Sequence, residues 1–288
     1  MTEQILTDSA IPRSAQPETG PVLAGTRPSP REYGPVNWIG LWTLYRKEVQ
    51  RFVKVITQTV LAPVVTTLLF FAVFALALGG AVRHVGDLPF VTFLAPGLIM
   101  MATTQNAFAN TSSSIMISKI QGNIIDVLMP PLSAGELLLA YAMAGVTRGM
   151  VVALAVGIAI WPFAEISIHS WAATLYFAFC GSLILSLIGI LAGLWSEKFD
   201  HLAAVTNFVV TPLAFLSGTF YSVQRLPDFW YNAAHLNPFF FMIDGFRFGM
   251  TGHTDGDVLV GAVALGATGL GLWVLCYALL RRGYRLKP

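Results

Sequence analysis

Charge is the scarcest commodity in this chain: Asp, Glu, Lys and Arg make up 11% of its 288 residues, against 55% hydrophobic. A soluble domain carries about 25% charged residues, and a soluble core of this size does not need so little. Cysteine is nearly absent. Cys180 and Cys276 stand apart, each inside an apolar stretch, so no disulfide framework or zinc site is readable. The histidines His84, His169, His201, His235 and His253 are scattered without ligand spacing. There is no Gly-x-Ser-x-Gly motif, no His-Glu-x-x-His motif and no Gly-rich phosphate loop of the Walker type. An enzyme therefore lacks a site here, and nothing in the chain is expected to hydrolyse nucleotide. Acidic residues are missing from the middles of the apolar stretches, where a proton- or sodium-coupled carrier would hold them. Energy for any transport is expected from another subunit. A net charge of +2, spread along one membrane face without a compact patch, gives no reason to expect nucleic acid as a partner.

What the chain has instead is apolar length. Six windows of about 20 residues, enough to cross about 30 Å of hydrocarbon as helix, run Gln58 to Leu78, Phe90 to Ile117, Leu137 to Ile160, Trp171 to Leu194, Leu202 to Tyr221 and Val258 to Leu280. Open strands in lipid would leave backbone polar groups unpaired, so the expected class is an all-α membrane protein with six transmembrane helices. Arg46, Lys47, Arg51 and Lys54 precede the first span, and Lys119 and Lys198 lie in alternate loops. Arg281, Arg282, Arg285 and Lys287 follow the last. The opposite loops hold only Arg83, Arg225 and Arg247 among more acidic neighbours, which predicts that both termini are cytoplasmic.

The expected organisation has three parts: a disordered cytoplasmic tail over residues 1–35, an amphipathic interfacial helix over 36–57, and a six-span domain over 58–288. The tail is polar, rich in proline and without the apolar core of a signal peptide. In the second part, Trp38, Trp42, Tyr45, Val49, Phe52 and Ile56 recur at spacings of three and four, with Arg46, Lys47, Gln50, Arg51 and Lys54 between them. This is the pattern of a cationic helix lying on the membrane surface, or of one packed on a soluble partner.

Four features inside the third part carry functional expectations. The second span reads ATTQNAFANTSSS, and Thr103, Asn106, Asn110 and Ser113 share one helical face. Such a face must meet other helices or line a wet pathway. Arg148 lies well inside the third span, either as a functional charge whose partner the sequence does not identify, although Glu48, Asp126 and Asp200 lie on the same predicted side, or as a snorkelling residue. The fifth span places Asn207, Thr211 and Gly218 near one face and Pro212 mid-helix, where a kink is expected. Between the last two spans, Ser222 to Asp257 predicts short helices dipping into the outer leaflet, or an aromatic interface belt. Pro227 and Asp228 open one helix, Asn237 and Pro238 break it, and Asp244 and Arg247 are spaced to pair in the next. On the cytoplasmic side, Ile120, Ile124, Ile125, Leu128 and Met129 predict a short greasy helix stopped by Pro130 and Pro131, with a Ser133/Glu136 capping box starting the third span. That helix needs headgroups or a partner protein to cover it.

The order of these segments resembles the membrane permease subunits of type 2 ATP-binding-cassette exporters, in particular the YadH-like group of bacterial inner-membrane permeases. The resemblance rests on four stretches: Tyr45-Arg46-Lys47-Glu48, Phe93-Leu94-Ala95-Pro96-Gly97-Leu98-Ile99-Met100, Asn123 to Pro131, and Leu236-Asn237-Pro238-Phe239 followed by Gly245-Phe246-Arg247. It covers about Asn37 to Arg285 and leaves the tail out. It implies a dimer of six-span subunits, a homodimer or close equivalent, carrying two copies of a separate ATPase. That partner would hold ATP and Mg, so this chain would need no cofactor of its own. Gln121, Ile124, Ile125, Asp126, Leu128 and Met129 would belong to a coupling helix seated on the ATPase. The second and fifth spans would border the pathway and the dimer seam. The family's substrates range from polysaccharides and lipid-linked glycans to drugs, and the lack of an aromatic sugar ladder in the fifth span leans toward a small hydrophobic or lipid-like cargo. Two readings stay open beside export: a non-transporting membrane scaffold or assembly factor, and an intramembrane enzyme acting on lipid with Arg148 as an anion holder.

Overall fold

A computed structural model describes residues 34, 36–79, 84–86, 88–164 and 166–285. Apart from Gly34, the expected tail over 1–35 lies outside the described residues, as do Arg83 and Lys287. Helix α1 spans Trp38–Val53, and a π turn at Thr57–Leu61 leads into α2, Ala62–Leu78. Two short antiparallel strands, β1 at His84–Val85 and β2 at Leu88–Pro89, form a small hairpin that the sequence did not predict. Helix α3 follows at Phe90–Ile120, then α4 at Ile124–Leu128, α5 at Ala134–Ile160 and α6 at Trp171–Trp195. Next come α7 at Phe199–Val205, a second π turn at Thr206–Val210 and α8 at Thr211–Leu216. After α9 at Asp228–His235 and α10 at Pro238–Thr251, the chain closes with α11, Val258–Arg281.

Among the described residues, five helical segments are long and apolar enough to cross a bilayer: Thr57–Ala77, Ala134–Ile160, Trp171–Trp195, Phe199–Leu216 and Val258–Arg281. Helix α3 is longer than any of them at 31 residues, but its polar run dilutes its apolarity.

Local chemistry sets the helix ends. The Ser133 side chain accepts from the backbone N–H of Glu136, whose carboxylate accepts from the N–H of Ser133, so the expected capping box starts α5. Asn37, Ser170, Asn237 and Asp257 cap α1, α6, α10 and α11 in the same way. Helix α6 ends differently: Lys119 of α3 donates to the carbonyls of Gly193, Leu194 and Ser196, supplying both the missing donors and a cation at the negative end of the helix dipole.

Both π turns have a proline as their cause. A proline has no N–H and its ring crowds the carbonyl four residues back. For Pro63 and Pro212 those carbonyls belong to Thr59 and Phe208, which lie inside the two π turns. The disturbance expected at Pro212 therefore takes the form of a widened turn, and the first span carries a matching one.

Helix α3 forms the centre of the bundle, packed on α5, α6, α10 and α2, and α1 packs on α5. Close approach there depends on small side chains. Gly145 and Gly149 of α5 face Ser186 and Ser182 of α6, and Gly189 of α6 sits on the backbone of Phe108 in α3. The Thr111 hydroxyl donates to Ser186 O at 2.8 Å, and the Ser186 hydroxyl donates to Ala142 O at 3.0 Å, which ties the three helices together. By contrast, α2, the α7–α8 segment and α11 are covered on few sides.

A methyl group at Gly189 would meet Phe108 O at 2.6 Å, and backbone cannot rotate away as a side chain can. Gly189→Ala is expected to cost about 1–3 kcal/mol. A thermal unfolding scan in detergent checks this; an unchanged midpoint would mean that α3 and α6 are not held this tightly.

Candidate functional site

Three groups of residues stand out, one at each end of α3 and one along its middle. The first is at the end that carries α4. Ile124 and Val127 turn inward against Leu44, Leu137, Leu194 and other members of one apolar cluster. Gln121, Ile125, Asp126 and Met129 point outward, Met129 with 77% of its surface exposed, while Leu128, one turn on from Ile124, lines an apolar cavity with Ile124 and Val127 and is only partly exposed. Of the residues expected on the coupling helix, Ile124 is thus an anchor, and Val127, which the sequence reading passed over, is its companion. Their spacing of three, i and i+3 on one face of a helix, was the available signal.

Helix α1 is fastened to this end. The backbone N–H of Asn37 donates to Glu136, which also caps α5, and Asn37 Nδ2 donates to Pro131 O at 3.2 Å. Its inward stripe is Leu44, Glu48 and Phe52, while Trp38 and Trp42 are exposed. Sequence periodicity had chosen the tryptophan side as the apolar face and left Glu48 off it. The structure buries that carboxylate, because it accepts from Ser114 at 2.6 Å and pairs with Arg51 at 3.2 Å.

The second group is the polar run of α3. Most of its side chains are satisfied within the helix, each donating to the carbonyl four residues earlier: Thr103 to Ile99, Thr104 to Met100, Asn106 to Ala102, Ser112 to Phe108 and Ser113 to Ala109. The four expected face residues then divide. Thr103 is fully buried. Asn110 accepts from Arg51 through both its backbone carbonyl, at 2.7 Å, and its side-chain oxygen, at 3.1 Å. Asn106 and Ser113 line a cleft of about 350 Å³, with Gln105, Phe108, Ala109 and Ser112 on the same wall and Leu202, Thr206, Val210 and Thr211 opposite.

Asn106 is also the partner of Arg148, accepting from its Nη2 at 3.0 Å. The three acids that the sequence puts on the same side do not pair with Arg148: Glu48 is taken by Arg51 and Ser114, and Asp126 and Asp200 are exposed. On the far wall, Thr211 faces the cleft, but Asn207 is exposed and Gly218 lies beyond the end of α8 in a left-handed turn, φ +75°. A π turn adds a residue to one helical turn, so a face counted at 3.6 residues per turn across Thr206–Val210 falls out of step.

The third group lies where α10 meets α3. Arg247 is 1% exposed, stacks 3.8 Å above the Phe93 ring, and donates to Gly218 O at 2.7 Å and Phe93 O at 3.3 Å. Asp244 is 4.0 Å away, so the pair expected from their spacing is there but loose. The carboxylate is held mainly by the N–H groups of Asp255 and Gly256 and the Thr254 hydroxyl. Asp255 in turn accepts from the N–H of Val223 and sits 3.3 Å from His253. Asn237 caps α10 and also donates to Leu213 O, and Pro238 occupies its first turn. Arg247 thereby joins α3, α10 and the turn after α8.

With this geometry in place, comparison with known proteins is decisive. The family model described as ABC-2 type transporter matches residues 40–251. The chain belongs to this ABC-2 membrane family. It is 34% identical over 250 residues to the inner membrane transport permease YadH of Escherichia coli (strain K12), covering 87% of this chain and 98% of that protein. It is 25% identical over 254 residues to nodulation protein J of Neorhizobium galegae, covering 86% and 94%. Nodulation protein J of Sinorhizobium fredii (strain NBRC 101917 / NGR234) is 26% identical over 256 residues, covering 86% and 94%. As an ABC-2 permease, the chain is a multi-pass inner-membrane transport protein whose family works with an ABC ATPase subunit.

Arg247→Lys keeps the charge and loses both the planar stack on Phe93 and the divergent donors. Thermal unfolding should show a loss of about 1.5–3 kcal/mol, the range for hydrogen bonds to a charged group. A midpoint equal to that of the parent protein would rule out a clamp at this position.

Proposed function

We propose that this chain is the permease half of an ATP-driven exporter, assembled as a dimer with two ATPase subunits docked at the α4 end. The observation that carries the proposal is the division of labour on α4. Ile124 and Val127, with Leu128 beside them, root it in the bundle, and Ile125 and Met129 present a greasy outer face. Exposed apolar side chains beside a cluster of lysines and arginines need a protein partner to cover them. ABC-2 membership supplies the class of that partner.

In this arrangement the six spans are α2 with its leading π turn, α3, α5, α6, the α7–α8 segment and α11. Helices α9 and α10 are re-entrant from the outer side. The polar residues of α3 are tolerated in a span because their hydroxyls bond within the helix and the rest meet α1, α5 or the cleft. Both termini are cytoplasmic, in keeping with Arg46, Lys47, Lys54, Lys119, Lys198, Arg281 and Arg282 around the α4 end. The dimer seam runs along α2 and the α7–α8 segment, where Leu76 and Phe208 are more than 80% exposed. ATP-driven closure of the ATPases pushes on α4, and the strap of α1, tied to both Pro131 and Asn110, carries that push to the polar wall of the cleft.

Met129→Asp and Ile125→Asp should each reduce co-purification of the partner ATPase by about tenfold or more, the equivalent of about 1.4 kcal/mol or more of interface energy. Membrane insertion and thermal stability should stay unchanged, because both side chains point away from the bundle. Cargo movement in proteoliposomes that contain no ATPase would sink the proposal.

A further inference from the structure

The two walls of the cleft each end at a loop on the α4 side of the bundle. One wall is α3, and after Ile120 the chain passes through Gln121, Gly122 and Asn123 into α4. The other is the α7–α8 segment, and Ser196, Glu197 and Lys198 precede its first residue, Phe199. The two loops are joined directly. Lys119, next to the end of α3, donates to Ser196 O at 2.6 Å and to Leu194 O at 2.8 Å, and Leu194 shares an apolar cavity with Ile124, Val127 and Leu128 of α4. At its other end the α7–α8 segment is held by Asn237, which donates to Leu213 O, and by Arg247, which donates to Gly218 O. A segment fixed at one end and covered on few sides responds to force applied at the other.

The α6–α7 loop is built to receive such a force. Trp195 before it and Phe199 after it are 47% and 51% exposed. Arg285 fixes the backbone between them, donating to Trp195 O at 2.7 Å and pairing with Glu197 at 3.3 Å. Charge decides what covers these aromatics. Glu197, Asp200 and, on α4, Asp126 are exposed carboxylates, which the negative potential of cytoplasmic headgroups repels. Helix α1 is the contrast: its exposed charges, Arg46 and Lys47, are cationic, and its single acid, Glu48, is buried. The strap suits headgroups, whereas the two loops, with charges of both signs around exposed apolar side chains, suit a protein surface. We propose that Trp195 and Phe199 form a second seat for the same ATPase subunit that docks on α4, so that one partner holds a handle on each wall of the cleft. This rests on the exporter reading for the identity of the partner and adds a second place where it bears.

Photo-crosslinking tests this directly. p-Benzoylphenylalanine placed at Trp195 or at Phe199, in the permease–ATPase complex in nanodiscs of phosphatidylglycerol and phosphatidylcholine, should crosslink to the ATPase, as should the same probe at Met129. The probe keeps an aromatic ring at both loop positions, so the fold is not at stake. In a second measurement, Trp195→Ser combined with Phe199→Ser should lower the affinity of the permease for the ATPase about tenfold, with membrane insertion unchanged. Crosslinks from the loop to lipid alone, or an affinity that the double variant leaves unchanged, overturn the second seat. A crosslink at Met129 with none at the loop removes the seat and leaves the exporter reading standing. Crosslinks at the loop with none at Met129 keep the seat and remove docking on α4, and no crosslink to the ATPase at any of the three positions removes both.

Discussion

Everything in this architecture is arranged around one constraint: α3 crosses the centre of the bundle carrying a run of threonine, asparagine and serine that hydrocarbon will not accept. Two devices answer it. Most of the hydroxyls donate back to their own helix, so they need no partner elsewhere. The side chains that cannot do this are met by Arg51, Glu48, Arg148 and Ser186 from α1, α5 and α6. Small residues on α5 and α6 then let those helices come close enough for the contacts to form, and α2, α7–α8 and α11 are left at the periphery.

The same polar run gives α1 its place. A surface helix with a cationic face could simply float on the headgroups, but this one is tied at its start to the capping carboxylate of α5 and at its end to Asn110 and Ser114 of α3. The loop bearing α4 and the wall of the cleft are therefore joined by hydrogen bonds rather than by chain alone. At the opposite end of α3, Arg247 does the comparable work of joining α10 to Phe93 and to the turn after α8. The cleft lies between these two fixed regions, with the π turn at Thr206–Val210 in its far wall.

Much of the site could be seen in the sequence because its signals are local. The capping box, the proline stops around α4, the start of α9 at Asp228 and the spacing of Asp244 and Arg247 each depend on residues three or four apart. The misses share a different cause. Glu48 was read as part of a surface helix and not as a buried acceptor, because that role needs Ser114, far along the chain. The partner of Arg148 could not be read from the sequence, because its neighbour is an amide on another helix. Asn207 was placed with Thr211 because a regular helical count was carried across a π turn.

Hydropathy and charge by themselves determined that this is a helical membrane protein, roughly where its apolar segments lie, and which helix at the loop would need covering. Those are properties of short windows, fixed by the length of a bilayer and the cost of an unpaired backbone group. Only the tertiary structure decided which polar atoms meet. Whether a buried donor finds an acceptor depends on how two distant helices are rotated against each other, and that rotation is set by glycines and serines whose effect appears only on contact.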